Sequence, residues 1–188
     1  MTAMSYRSLS KGEVPLIATI ERSEIIDGRY AVVNGKLTLS ALRHVVTGWN
    51  PSELTDHVDQ IQHALADGGL AYGAWHESDL VGLSKLVVTG VGGDSSVMQL
   101  EPLHVSAPWR NQKIGKTLLA MVADAARSLS ATSLYISSIP TRNTVDAYPR
   151  IGAVVLERPD PALLALEPED IHMALTLPMA AVRRKDEG

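Results

Sequence analysis

The chain has 188 residues, 45% hydrophobic and 20% charged, with a formal net charge of −4, which is the length of one domain and an ordinary globular composition. The absence of cysteine excludes disulfides, thiolate metal sites and a cysteine nucleophile. The acidic balance argues against nucleic acid as a partner, and no apolar run approaches the roughly 18 residues of a membrane span.

Residues 1–14 read as a loose leader, polar over Met1–Lys11 and without the apolar segment of a signal peptide, so a cytoplasmic location is expected. Asn34-Gly35 between the apolar runs Tyr30–Val33 and Lys36–Leu39 predicts a hairpin. Asn50-Pro51-Ser52 starts a helix whose stripe is Leu54, Val58, Ile61 and Leu65, and Asp67-Gly68-Gly69 ends it. A meander follows, with strands at 70–75, 80–88 and 96–105 separated by polar and glycine-rich turns. A second helix runs from Gln112 to Leu129, with Ile114, Leu118, Met121, Val122, Ala125 and Leu129 as its buried stripe. A strand at Leu134–Ser138, a short helix from Asn143 to Ile151 closed by Gly152, and strands at 153–156 and 171–177 complete the order. The tail 183–188 is charged and is expected to fray. The strand–helix–strand passage from 96 to 138 requires a crossover, so its two strands should be parallel.

The chemistry concentrates at residues 103–119, where a strand enters a tight turn and then a helix. The first helical turn carries unpaired N–H groups and the positive end of the dipole. Arg110, Lys113 and Lys116 surround it, and Gly115 allows close approach to the backbone. The residues alone leave two readings, a diphosphate-binding corner or a packing glycine beside a solvated helix start.

The arrangement Val105-x-x-Pro108-Trp109-Arg110-x-x-x-Ile114-Gly115-Lys116-x-Leu118-Leu119 resembles the acetyl-CoA motif of the GNAT N-acetyltransferase superfamily. Asn143-x-x-x-x-Tyr148-x-x-x-Gly152 resembles that family's second motif. The stretches 17–25 and 160–173 look like the ends of one bacterial subgroup, which includes aminoglycoside 2'-N-acetyltransferases of the kasugamycin-resistance kind. The resemblance implies a single-domain α/β fold, a mixed and strongly twisted sheet flanked by helices on both faces. It implies acetyl-CoA in the gap between the strands at 97–105 and 133–138. Leu103, His104 and Val105 would then line the pantetheine, with Arg110, Asn111, Gln112, Lys113, Ile114, Gly115 and Lys116 around the diphosphate and Asn143 also at the cofactor. Tyr148 would protonate the leaving thiolate. The expected acceptor is a small-molecule amine, with a protein or peptide amine, or a non-catalytic acyl-CoA-binding relative, as alternatives. A homodimer is compatible with such folds.

Two positions depart from the family pattern. Lys113 replaces the first glycine of the turn, so either its side chain points outward or cofactor binding is weakened. Pro149 disfavours the helical region for Tyr148 and predicts a kink at the tyrosine.

Glu101 is the candidate for removing the amine proton, against the plainer reading of a solvated strand glutamate. It is expected to share a face with Leu103 and Val105, and Pro102 predicts a bulge or an edge beside it. His104, on the opposite face from Val105, reads as a packing histidine. His57 and His63 do not share a helix face, so no metal site is expected. Trp49, Trp75 and Trp109 are read as packing residues that could also line an acceptor pocket. Glu21, Glu24 and Asp27 are further carboxylates that could meet a cationic acceptor.

Overall fold

A computed structural model describes residues 3–178. The N-terminal stretch is not a loose leader. β1 (Ser5–Ser8) pairs with a later strand, and a 3-10 helix at Lys11–Thr19 buries Val14 and Ile17. Its start is held by Glu13, which accepts from the Ser10 backbone and hydroxyl and pairs with Arg7. The expected tail at 183–188 lies outside the described residues.

The Asn34-Gly35 turn, with both residues at positive φ, closes a longer hairpin than the apolar runs predict. β2 (Glu24–Val33) and β3 (Lys36–Val46) form a separate two-stranded sheet. Helix α1 (Pro51–Ala66) starts where Asn50 Oδ1 accepts from the Ser52 N–H, with Pro51 at the first helical position.

The meander follows as β4 (Leu70–His76), β5 (Asp79–Val87) and β6 (Val97–Val105), antiparallel throughout. Helix α2 (Ile114–Ser128) crosses back to β7 (Ser133–Ser138), which pairs in parallel with β6 as the crossover requires. Met121 and Ala125 of the predicted α2 stripe are only partly buried, while Leu119, Ala123 and Ala126 are buried with Ile114, Leu118 and Val122; Leu129 caps the helix and is 48% exposed. The chain closes through α3 (Arg142–Val145), β8 (Val154–Val155), α4 (Pro161–Leu166) and β9 (Ile171–Thr176).

The main sheet has the order β1-β4-β5-β6-β7-β9-β8, antiparallel except for β6–β7. Helix α1 and the N-terminal 3-10 helix cover one face, where Ile17, Ile61, Trp75 and Leu83 form a core. Helix α2 covers the other, where Leu86, Leu100, Val122, Ile136 and Met173 form the largest one. The fold is the mixed α/β sheet with helices on both faces that the resemblance implies.

The predicted helix from Asn143 to Ile151 is instead split. α3 ends at Val145, and Pro149 opens a separate 3-10 turn through Ile151, closed by Gly152 at φ 92°. Tyr148 keeps helical backbone angles (φ −74°, ψ −42°) as the cap of that turn. Proline is well suited to a first helical position, so the chain breaks before the tyrosine rather than kinking at it.

Candidate active site

β6 pairs with β5 from Gln99 to Val105, but with β7 only over Val97–Leu100. Beyond Leu100, β6 slips register against β5, between Ser84↔Leu103 and Leu86↔Leu100, and the Glu101–Pro102 peptide is cis. Pro102 thus lies at a bulge against β5, on the stretch of β6 that no longer pairs with β7. β7 meanwhile continues through Ser137 and Ser138 against β9. The two parallel strands therefore part at Glu101, and among the described residues no strand covers the facing edge of β6 beyond that point.

The slip changes which side chains share a face. Leu103 and Val105 pack with Ile114 and Leu118 on the α2 side. Glu101 stands on the α1 side, with Gln99 donating from Nε2 to Glu101 Oε2 at 3.0 Å. The expected alternation of Glu101 with Leu103 and Val105 is wrong because the bulge resets the two-residue period. His104 is on the α1 side too, its ring edge-on to Trp49 and His57. Burial, then Arg22 and His57, push it well below its ordinary pKa, and its Nε2 has no hydrogen-bond partner. Its ring packs, as expected; only its backbone adjoins the gap.

On the α1 side, β5, β6, the end of α1 and α4 enclose a cleft of about 540 Å³. Gln60, Lys85, Gln99, Glu101 and Glu167 are among its lining residues. Burial pushes the Glu101 carboxyl above its usual range, an effect that Lys85 opposes and Glu167 reinforces. Asp170, placed between α4 and β9, is pushed up to about 6 by burial and by Glu167. Ser137 Oγ lies 3.5 Å from its Oδ2.

Behind this cleft, His172 Nε2 lies 3.1 Å from the Glu167 carbonyl, which can only accept, so Nε2 carries the proton. His172 Nδ1 lies 2.8 Å from the Tyr135 hydroxyl. Lys85, Gln99, Asp170 and His172 are not among the site residues expected from the sequence, although Asp170 and His172 lie in the stretch 160–173 that carries the resemblance. Their signal was present as single polar residues inside apolar strands, or in the loop before β9.

Tyr148 lies in the α2-side core, 8% exposed, packed among the residues that bury Leu100 and Ile136. Burial pushes its hydroxyl up to about 12. Among the described residues no hydrogen bond reaches it.

At the start of α2, Thr117 N–H is the first to bond back, to Lys113 O at 3.0 Å. The N–H groups of Ile114, Gly115 and Lys116 are left without helical partners. Lys113 occupies the left-handed region (φ 66°, ψ 5°), the conformation that glycine adopts most readily, with its side chain exposed. Asn111 also has positive φ (62°). The turn thus keeps a glycine-like backbone despite the lysine. A Cβ on Gly115 would meet only Val105 Cγ2, at 3.6 Å, so the protein itself leaves room there. The unpaired N–H groups, the bare Gly115 backbone and the gap between β6 and β7 fit a diphosphate with an extended arm, the form of coenzyme A.

Arg110 and Asn143 are otherwise engaged. Arg110 donates from Nε to Val105 O and from Nη1 to Ser23 O, tying the turn to the start of β2. Gln112 Nε2 donates to Pro108 O. Asn143 Nδ2 donates to Glu24 Oε1. Asp27 pairs with Arg142, and Ser23 donates to Glu21, so none of Glu21, Glu24 and Asp27 joins Glu101 in the cleft. Trp75 is core, Trp49 donates to Ile20 O, and Trp109 stacks against His76 near the turn.

The Acetyltransferase (GNAT) family profile matches residues 39–152. No curated protein sequence matches the chain. Among solved structures, a nourseothricin acetyltransferase superposes with a TM-score of 0.70 at 21% identity, covering 94% of this chain and 100% of that one. The PaiA N-acetyltransferase of Thermoplasma acidophilum with coenzyme A gives 0.62 at 14%, covering 93% and 99%. The ribosomal-protein-S18-alanine N-acetyltransferase of Escherichia coli gives 0.60 at 15%, covering 95% and 98%. With the family profile spanning more than half of its length, the chain belongs to the GNAT family and is an acetyl-CoA-dependent N-acetyltransferase.

Proposed function

We propose that the protein acetylates a primary amine of a cationic small molecule, with an aminoglycoside such as kasugamycin as the leading candidate. The observation that carries this reading is the cleft of about 540 Å³ onto which Glu101 and Glu167 open, beside the point where β6 and β7 part. Its volume falls within the roughly 300–1,000 Å³ usual for small ligands. The carboxylates favour a cation. The antibiotic acetyltransferase among the structural neighbours is consistent with this substrate class, although that likeness carries the fold alone.

Acetyl-CoA supplies the thioester-activated acetyl group. The N–H groups of Ile114, Gly115 and Lys116 hold its diphosphate, and the Leu103–Val105 edge orients its arm. Glu101 takes one proton from the acceptor ammonium, leaving the amine lone pair free to form the new C–N bond. Its raised pKa brings it closer to that of the amine, which assists the transfer. As the C–S bond breaks, the Tyr148 hydroxyl supplies a proton to the sulfur, and the phenolate left behind takes up the second proton that the nitrogen loses on becoming an amide. Holding both reactants in one gap supplies much of the acceleration.

The test is thiol release from acetyl-CoA by the purified protein across kasugamycin, other aminoglycosides, polyamines and short peptides. Release with one aminoglycoside supports the reading. Release with peptides alone moves the function to protein modification, and no release with any of these amines overturns the proposed acceptor class.

A further inference from the structure

Lys85 follows buried Ser84 in the mostly apolar strand β5 and is only 3% exposed. Its Cα partner in β4 is Ala71, and on the other side it faces the stretch where β6 slips register around Glu101. Among the described residues its side chain makes no ion pair and no hydrogen bond. It nevertheless lines the cleft with Gln60, Gln99, Glu101 and Glu167. Burial pulls its pKa below the ordinary lysine value, while the charges of Glu101 and Glu167 hold it up.

An ammonium group has three donors and no acceptor, and burying it is costly unless anionic or carbonyl oxygens meet it. Glu101 does not close on it as a salt bridge, and one of its oxygens already accepts from Gln99. The donors of Lys85 therefore remain available to whatever enters the cleft. The carboxylates complement an amine, and Lys85 complements an oxyanion.

We propose that Lys85 is a specificity-determining residue that binds an anionic group of the acceptor, so that, among the amines the cleft admits, those also carrying a carboxylate or phosphate are preferred. This rests on the cleft being the acceptor site. The ammonium of such a molecule lies toward Glu101 and its anionic group against Lys85. Orientation then follows from charge at both ends of the cleft.

The experiment compares matched acceptors with and without the anionic group. L-Lysine is set against cadaverine, and O-phosphoethanolamine against ethanolamine, with kcat/KM measured for wild type, K85M and K85R. The expected result is a wild-type preference of at least about tenfold for the anionic member of one pair. The pair that shows it distinguishes carboxylate from phosphate. That preference should collapse toward unity in K85M, chiefly through KM, and persist in K85R. No wild-type preference in either pair, or a preference that survives in K85M, overturns the proposal. If acetyl-CoA binds but no amine is acetylated, the proposed function fails separately. Calorimetric titration of L-lysine and O-phosphoethanolamine into the coenzyme A complex then decides. Binding weakened at least about tenfold by K85M supports the assignment; no binding, or equal binding to both proteins, overturns it.

Discussion

Gln99 donates a 3.0 Å hydrogen bond to Glu101, which fixes the carboxylate on the α1 side of the sheet, at the point where β6 leaves β7. A glutamate in this position is partly withdrawn from water yet opens onto a cleft large enough for an amine. Position and raised pKa together make it the candidate base.

Replacing Glu101 by Gln keeps the shape and removes the proton acceptor. We expect kcat to fall by roughly 10²- to 10⁴-fold with little change in acetyl-CoA affinity. In the wild type, kcat/KM should decline as pH drops through a value above the usual carboxylate range, because burial favours the protonated, inactive form. That acid limb should flatten in the variant. An unaltered pH profile with preserved kcat would remove Glu101 from the mechanism.

Tyr148→Phe tests the proton donor. The hydroxyl has no hydrogen-bond partner among the described residues, so its loss should leave the melting temperature nearly unchanged. We expect kcat to fall by roughly 10²-fold while acetyl-CoA still binds. Equal kcat in the two proteins would reduce Tyr148 to a packing residue.

The turn before α2 yields a paired prediction. Gly115→Ala places a Cβ in ordinary contact with Val105, and alanine is favoured over glycine in a helix by about 1 kcal/mol, so stability should rise. Acetyl-CoA affinity should nevertheless fall about tenfold or more, because the ligand needs the bare backbone. Lys113→Gly relieves about 1 kcal/mol of left-handed strain but loosens the unfolded chain, for a net gain of about 0.5 kcal/mol. Its effect on acetyl-CoA affinity should be no more than about threefold, since backbone groups do the holding. Calorimetry with thermal melts reads both variants, and a Gly115→Ala protein binding at full strength would exclude the corner as the diphosphate site.

The elements were legible where local chemistry decides them. Asn34-Gly35 fixed the hairpin, Asn50-Pro51 the start of α1, and the crossover the parallel pair. The side of the sheet taken by Glu101 was not legible. A bulge or an edge at Pro102 was expected, but the consequence of the bulge for the alternation depends on how β5 registers against it. The residues lining the cleft come from the end of α1, β5, β6 and α4, distant in sequence and brought together only by tertiary packing. Residues 5–8 carry little apolar signal of their own and become a strand because β4 offers an edge.

Asp170→Asn probes the acidity of the cleft through stability. The folded carboxyl titrates at about 6, above its ordinary value of 3.8, because burial and Glu167 disfavour its charge. A raised acid contributes stability in its protonated form, fully present below the unfolded pKa and lost as pH rises through about 6. Asparagine carries no charge to penalise. The variant should therefore match the wild type more closely near pH 4 and exceed it near pH 7. Because the group is partly exposed, solvent screening reduces the gain to about 1 kcal/mol. Urea melts of both proteins across this window provide the measurement. A stability difference that stays constant with pH would mean that Asp170 titrates as an ordinary surface carboxylate and contributes no charge strain to the cleft.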